Sequence, residues 1–292
     1  MSWLGIWMRG LAMGAADAVP GVSGGTVAFL TGIYERWLAV LTAITPGLWA
    51  VFRREGVRGL WVHLDGGFVI PLVVGILMSL MTLAHWIKDW LDIFPERVWG
   101  FFLGLVFAMG IAMLSDLRAL MRPKDWVWLV VGIVTALVLG LQTPQSASPA
   151  LWVWPFAGAM ALSAMLLPGI SGSFLLLLAG LYPALISAVS ALDIKILALF
   201  IGGGAVGILM MAHFLKALLA RYHIEALSFL TGVIFGALVR VWPWQGQGDD
   251  GSISLLIPTT DVLWIPLGLG VSGFVLASLA LRLSARDGYM IQ

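Results

Sequence analysis

The chain has 292 residues, 61% of them apolar and 11% charged, with a mean hydropathy of +1.01 and a net charge of +1 at pH 7. Soluble domains carry about 25% charged residues, so the composition excludes a soluble globule and identifies an integral membrane protein. The near-balance of charge gives no footprint for nucleic acid, and the absence of cysteine excludes disulfides, thiolate nucleophiles and cysteine metal sites.

The opening "MSWLGIWMRG" carries its first charge, Arg9, behind the apolar stretch, which is not the pattern of a secretory leader. Region 10–33 is apolar but is cut by "AVPGVSGGT" at 18–26, and a loop is expected over 34–66. Continuous apolar runs follow at 67–87, 98–115 and 126–141, then a linker over 142–151 containing "QTPQSASP". A second cut region, 156–182, contains "LLPGISGSF" at 166–174, and further runs lie at 196–215, 226–242 and 262–281. Uninterrupted runs of this kind cross as helices, because a barrel strand alternates over about ten residues. Twelve tryptophans, among them Trp49, Trp61, Trp86, Trp152, Trp154, Trp244 and Trp264, sit at run ends, as interfacial anchors do. "GGGAVG" at 202–207 lacks the Lys-Ser/Thr of a nucleotide loop and reads as close helix packing or a hinge. "WPWQGQGDDGS" at 242–252 reads as a polar outer loop.

The second cut repeats the first 148 residues later, and the match extends beyond it. Gly32-Ile33-Tyr34 corresponds to Gly180-Leu181-Tyr182, Gly104-Leu105-Val106-Phe107 to Gly232-Val233-Ile234-Phe235, and Asp125, Trp128 and Gly132 to Asp261, Trp264 and Gly268. If each cut region returns to the side it entered from and the six runs cross, only Lys88, Arg97, Lys195 and Arg240 of the 16 basic residues share one side. The other side is then cytoplasmic and holds both termini. Three crossings per half invert the second half relative to the first. The expected fold is therefore all-α and polytopic: two inverted-topology repeats, 1–141 and 152–292, each a broken re-entrant hairpin plus three transmembrane helices.

Pro20 and Pro168 break the helix, and Gly21 and Gly169 allow the chain to turn. Ser23 and Ser171 are placed to cap the half-helices that follow. Gly24-Gly25 and Gly172-Ser173 leave the leading amides open. In a bilayer those amides need an acceptor, and an anion supplies one, aided by the hydroxyls of Ser23, Thr26, Ser171 and Ser173. Two such nests facing one space would cradle a phosphate or carboxylate. Small residues also permit close helix packing, the competing explanation.

Asp17, three residues before Pro20, is a carboxylate in an apolar stretch. It could move a coupling proton, bind a cation, pair with an arginine or act as a local cap. Glu35 sits where the hairpin meets the interface, beside Arg36. Arg118 could guide a phosphate, with Arg9 and Arg240 as other candidates, although such residues are often topology determinants. His85 and His213 lie outside any metal-ligand spacing. No metal, catalytic residue or cofactor is expected.

"GLAMGAADAVPGVSGGTVAFLTGIYERW" and "LLPGISGSFLLLLAGLYPAL" closely resemble the two signatures of the bacterial polyprenyl-phosphate (undecaprenyl-phosphate) transporter family, PopT-like and formerly a domain of unknown function. The resemblance covers essentially the whole chain. It implies return of undecaprenyl phosphate from the outer to the inner leaflet of the bacterial cytoplasmic membrane, so that the lipid carrier of cell-wall synthesis is reused. It also implies a functional core of Asp17, Ser23, Gly24, Gly25, Thr26, Glu35, Ser171, Gly172 and Ser173. A transporter or channel for a small soluble anion would share the nests. A lipid phosphatase would need a nucleophile and base or metal carboxylates, which the motifs do not supply. A structural protein would have no use for two capped breaks. Tail length, coupling ion and oligomeric state, a homodimer included, stay open.

Overall fold

The structure, a computed structural model, describes residues 2–17, 23–141, 149–247, 253–257 and 260–286. The first half contains α1 (Trp3–Asp17), α2 (Gly24–Leu30), α3 (Tyr34–Ala43), α4 (Leu48–His63), α5 (Gly66–Ile93), α6 (Pro95–Leu117) and α7 (Asp125–Gly140). The second contains α8 (Val153–Met165), α9 (Gly172–Leu178), α10 (Tyr182–Ser190), α11 (Ile194–Arg221), α12 (His223–Ala237), β1 (Gln245–Gln247), β2 (Ile253–Leu255) and α13 (Thr260–Arg286).

Each of the six uninterrupted apolar runs forms a helix, that of 226–242 ending early at Ala237, and the two cut regions each give a helix, a break and a seven-residue helix. By length and composition α6 and α11 can each cross a membrane, and up to four spans result if the bent pairs α4–α5 (62°) and α9–α10 (115°) each count as one. Among the other apolar helices α7 has 16 residues and α12 has 15. At about 1.5 Å per residue, α7 reaches about 24 Å, less than the roughly 30 Å hydrocarbon layer. The outward faces of α5, α7, α11 and α13 are apolar and open, with Met81 at 82% and Met210 at 69% exposure. Such faces suit lipid rather than water.

Three expectations change. The segment 34–66 is not a loop but carries α3 and α4, separated at Thr45-Pro46-Gly47; α3 buries Tyr34, Leu38 and Leu41 on one face, a helical spacing. Within 242–252, Gln245–Gln247 pairs antiparallel with Ile253–Leu255, and Gln245 Nε2 ties the hairpin to the Arg240 and Trp242 carbonyls at 2.8 Å. Trp154 and Trp244 are core residues rather than interfacial anchors, 1% and 8% exposed; Trp154 packs edge-on against Phe200 of α11. Most of the linker 142–151 lies outside the described residues.

The helices pair closely through glycine. Gly10 of α1 meets the Leu72 carbonyl of α5 while Gly75 meets the Trp7 carbonyl; Gly158 of α8 meets the Phe200 carbonyl of α11 while Gly203 meets the Pro155 carbonyl. The two sets match residue for residue when the first helix is offset by 148 and the second by 128. Packing is the role of "GGGAVG": Gly203, Gly204 and Gly207 all face α8. The last helices exchange partners. α6 packs on α13, with Gly104 against the Gly270 carbonyl, and α12 packs on α7, with Gly232 against the Leu129 carbonyl. Without a hydrophobic drive between helices in lipid, such close backbone approach supplies the dispersion contacts that hold the bundle. Gly104→Leu and Gly203→Leu should therefore destabilise the fold by about 1–3 kcal/mol or more, seen as a lower thermal transition in detergent, while Gly202→Ala and Gly268→Ala, which meet no atom within 4 Å, should leave the transition unchanged.

Candidate functional site

The two breaks meet inside the bundle. At the first, Ser23 is extended (φ −122°, ψ 136°) and opens α2. Its Oγ accepts from the Gly25 amide at 3.1 Å, the cap expected from its position. The Gly24 amide donates to Asp17 Oδ1 at 2.6 Å, so the carboxylate ending α1 fills the place of an anion at this helix start. A Cβ on Gly24 would lie 2.5 Å from Asp17 Oδ2, and one on Gly25 would lie 2.5 Å from the Met165 carbonyl oxygen. Glycine at both positions is what admits the carboxylate and the neighbouring break. Pro20 and Gly21 lie outside the described residues.

At the second break, Pro168 prevents α8 from continuing, and the carbonyls at its end need donors. They find them on the first half: Ser23 Oγ donates to the Met165 carbonyl at 3.2 Å, and Tyr34 Oη donates to the Leu166 carbonyl at 2.9 Å. In return the Gly169 amide donates to Thr26 Oγ1 at 2.9 Å. Gly169 takes φ +82° beside the α12 backbone at Val233 and Ile234. Ser23, Thr26, Tyr34 and Ser171 are all buried. Lys216 Nζ donates to Thr42 Oγ1 at 3.2 Å, tying α11 to α3.

The two helix starts are not alike. Ser171 is also extended (φ −98°, ψ 129°), but its hydroxyl bonds that of Ser173 at 2.8 Å and caps no amide. The residue 148 positions after Asp17 is Met165, which cannot accept in its place. Beside this uncapped start lies a cavity of about 20 Å³, lined by Gly169, Ile170, Ser171 and Phe174 on one side and by Gly140 and Arg240 on the other. It has room for one water and not for a phosphate group. The Arg240 guanidinium stacks on Phe174, 4.4 Å from the ring centroid, and its buried Nη1 has no acceptor.

The geometry therefore differs from two open nests facing one empty space. The first nest is closed by Asp17 and Ser23, the breaks are hydrogen-bonded to each other, and the described cavity adjoins Ser171. Asp17, Ser23, Gly24, Gly25, Thr26 and Gly169 come together, and Ser171, Gly172 and Ser173 follow Gly169 in the chain at the start of α9. Arg118 and Glu35 do not join them: both are exposed, at the end of α6 and in the first turn of α3, and among the described residues no hydrogen bond or ion pair joins either to the breaks. Arg36 pairs with Asp65 at 2.7 Å and covers the Phe68 ring. Arg9 donates to the Gly5 carbonyl at 3.2 Å. His213 Nδ1 lies 2.8 Å from the Leu209 carbonyl of its own helix. Among the described residues no group of three His, Asp or Glu could hold a metal ion. The roles of Tyr34 and of the Met165 and Leu166 carbonyls were not foreseen; the pairing of Tyr34 with Tyr182 in the repeat was the available signal.

A family profile described as undecaprenyl phosphate translocase-like matches residues 13–251, a stretch that contains both breaks and Arg240. The chain belongs to this family. The chain is 41% identical over 245 residues to the polyprenyl-phosphate transporter of Vibrio cholerae, covering 84% of this chain and 79% of that one. It is also 27% identical over 304 aligned positions to the polyprenyl-phosphate transporter of Staphylococcus aureus, covering 98% of both. No solved structure matches. The family and both relatives bear the names of transporters, not of enzymes.

The junction gives its own test. Thr26→Val leaves the part-buried Gly169 amide without its acceptor and should destabilise the folded protein by about 1 kcal/mol or more, while Thr26→Ser retains the hydroxyl and should be near neutral. Thermal unfolding of purified protein in detergent distinguishes the two, and an equal loss from both would contradict the assigned bond.

Proposed function

We propose that the chain is a polyprenyl-phosphate transporter of the bacterial cytoplasmic membrane that returns undecaprenyl phosphate from the outer to the inner leaflet for reuse as the envelope lipid carrier. Family membership and the names of the relatives support the class of substrate. The observation that carries the mechanism is the unequal pair of helix starts: one closed by its own carboxylate, the other uncapped beside a buried arginine edge.

In this reading the phosphate head binds at Ser171, Gly172 and Ser173 with Arg240, through amide and hydroxyl donors and one charge-assisted partner. The isoprenoid tail stays in lipid. The protein thereby replaces water around a head whose unaided passage through hydrocarbon would cost many kcal/mol. A phosphate head needs more room than this cavity gives, and in this reading that room is made by parting the junction of Ser23, Thr26 and Tyr34, which meets the cavity at Gly169. Opening the junction would release Gly24 and Gly25 from Asp17 and offer the second nest to the head. Arg118, exposed and apart, serves as a guide at the membrane surface.

The recurring glycine contacts and the exchanged partners of α6 and α12 support reading 1–141 and 152–292 as inverted repeats. Gly172, resting against the Ala161 carbonyl of α8, supports the cut regions as re-entrant hairpins. In this reading both termini lie in the cytoplasm, on the side that carries most of the basic residues. Moving an anion inward opposes an inside-negative potential by about 2.3 kcal/mol per charge per 100 mV. Protons or a cation moving with the lipid through Asp17 or Glu35 would offset this.

Leaflet-resolved transfer of labelled undecaprenyl phosphate in proteoliposomes is the direct test. Ser171→Ala and Arg240→Gln should each slow transfer about 10-fold or more, the scale of a lost charge-assisted hydrogen bond. Asp17→Asn should abolish its dependence on pH or cation gradient. Transfer no faster than in empty vesicles, or passage of a small soluble anion in its stead, would overturn the proposal.

A further inference from the structure

α4 stands apart from the bundle. It joins α5 at an angle of 62°, Trp61 packing over Gly66 where they meet, and most of its side chains are exposed. The second half has no equivalent: only Ala191, Leu192 and Asp193 separate α10 from α11. Gly56, at φ 63° and ψ −156°, divides α4 into two arms. The first arm exposes Trp49 and Phe52, whose rings lie 5.7 Å apart on one face. The second exposes Val57, Trp61 and Val62, with Val57 and Val62 each at 73%. Interleaved with them are three exposed arginines, Arg53, Arg54 and Arg58, against one acid, Glu55.

Neither bulk phase satisfies this segment. As part of a span with α5, it would carry those four charges into hydrocarbon, at about 2.5–3.5 kcal/mol for each arginine. In water it would leave two tryptophans and a phenylalanine uncovered. A membrane interface satisfies both, since aromatic side chains reach the acyl boundary while arginines stay at the headgroups. The excess of arginine selects the sign of the surface.

We infer that α4 is an in-plane helix that seats on anionic phospholipid headgroups, its aromatic and valine side chains in the acyl boundary and Arg53, Arg54 and Arg58 on the lipid phosphates. The inference goes beyond the transport reading and holds whatever molecule the protein moves. It supplies the first half with a surface contact that the second half lacks.

The chain has no cysteine, so a single Val57→Cys substitution carries a bimane label without background. In proteoliposomes containing phosphatidylglycerol, the label should be quenched by lipids bearing a shallow nitroxide and shielded from aqueous iodide. Replacing Arg53, Arg54 and Arg58 by Gln should weaken this seating about five-fold per arginine, while the thermal transition in detergent stays unchanged. Iodide quenching that is equal in neutral and phosphatidylglycerol vesicles would overturn the inference. Lipid quenching unchanged in the triple variant would do the same, as would cross-linking of the cysteine to a second copy without lipid quenching. Since the readout is label depth, it stands or falls separately from lipid-transfer rates.

Discussion

Backbone groups freed inside an apolar bundle must find partners, and the arrangement at the centre of this protein follows from that requirement. A proline in a helix releases carbonyls before it and amides after it, and in hydrocarbon no water can take them. Here two breaks satisfy much of each other's need. The end of α8 presents the Met165 and Leu166 carbonyls, and the first half supplies the hydroxyls of Ser23 and Tyr34; the Gly169 amide finds Thr26. Hydroxyl side chains suit this work because each can donate and accept. Ser23 does both at once, accepting from Gly25 and donating to Met165.

That economy leaves a remainder, and the remainder is asymmetric. Asp17 ends α1 and completes the α2 start, whereas Met165 at the corresponding place cannot. The carboxylate that completes one nest is covalently part of the protein; at the other, the hydroxyls of Ser171 and Ser173 bond each other, and the cationic Arg240 lines the adjoining cavity. A protein that moves an anion gains from this inequality. Two nests closed by carboxylates would repel a phosphate, and two left uncapped would leave too many buried donors unpaired in the resting state.

Much of this was legible in the chain. The Pro-Gly breaks, the serine caps and the apolar runs are local features, and local chemistry placed them well. Asp17 was foreseen as an unusual carboxylate, with local capping among its readings, and capping is the contact observed. Three-dimensional partners were not legible. Nothing in the linear pattern shows that Ser23 reaches a carbonyl 142 residues away, because the acceptor is backbone and carries no residue signature. Trp154 was misread because a tryptophan at the end of an apolar run looks the same whether it faces headgroups or a neighbouring helix. The 34–66 stretch was misread because its arginines and Pro46-Gly47 hide two short helices, one divided again at Gly56.

The same chemistry relates the breaks to the glycine contacts around them. Where Gly10 and Gly158 let α1 and α8 approach α5 and α11, the backbones sit too close for side chains to intervene. Each broken segment is thus held against a long helix on one flank, while its tip is held to the other half by hydroxyl bonds. The flank contacts are dispersion over backbone and strain if displaced. The tip contacts are a few hydrogen bonds, each worth about 0.5–1.5 kcal/mol net. If the halves move relative to one another, the junction of Ser23, Thr26 and Tyr34 yields before the glycine seams do. The hydroxyl junction, and not the glycine seams, is thus the part of the bundle that can open at least cost.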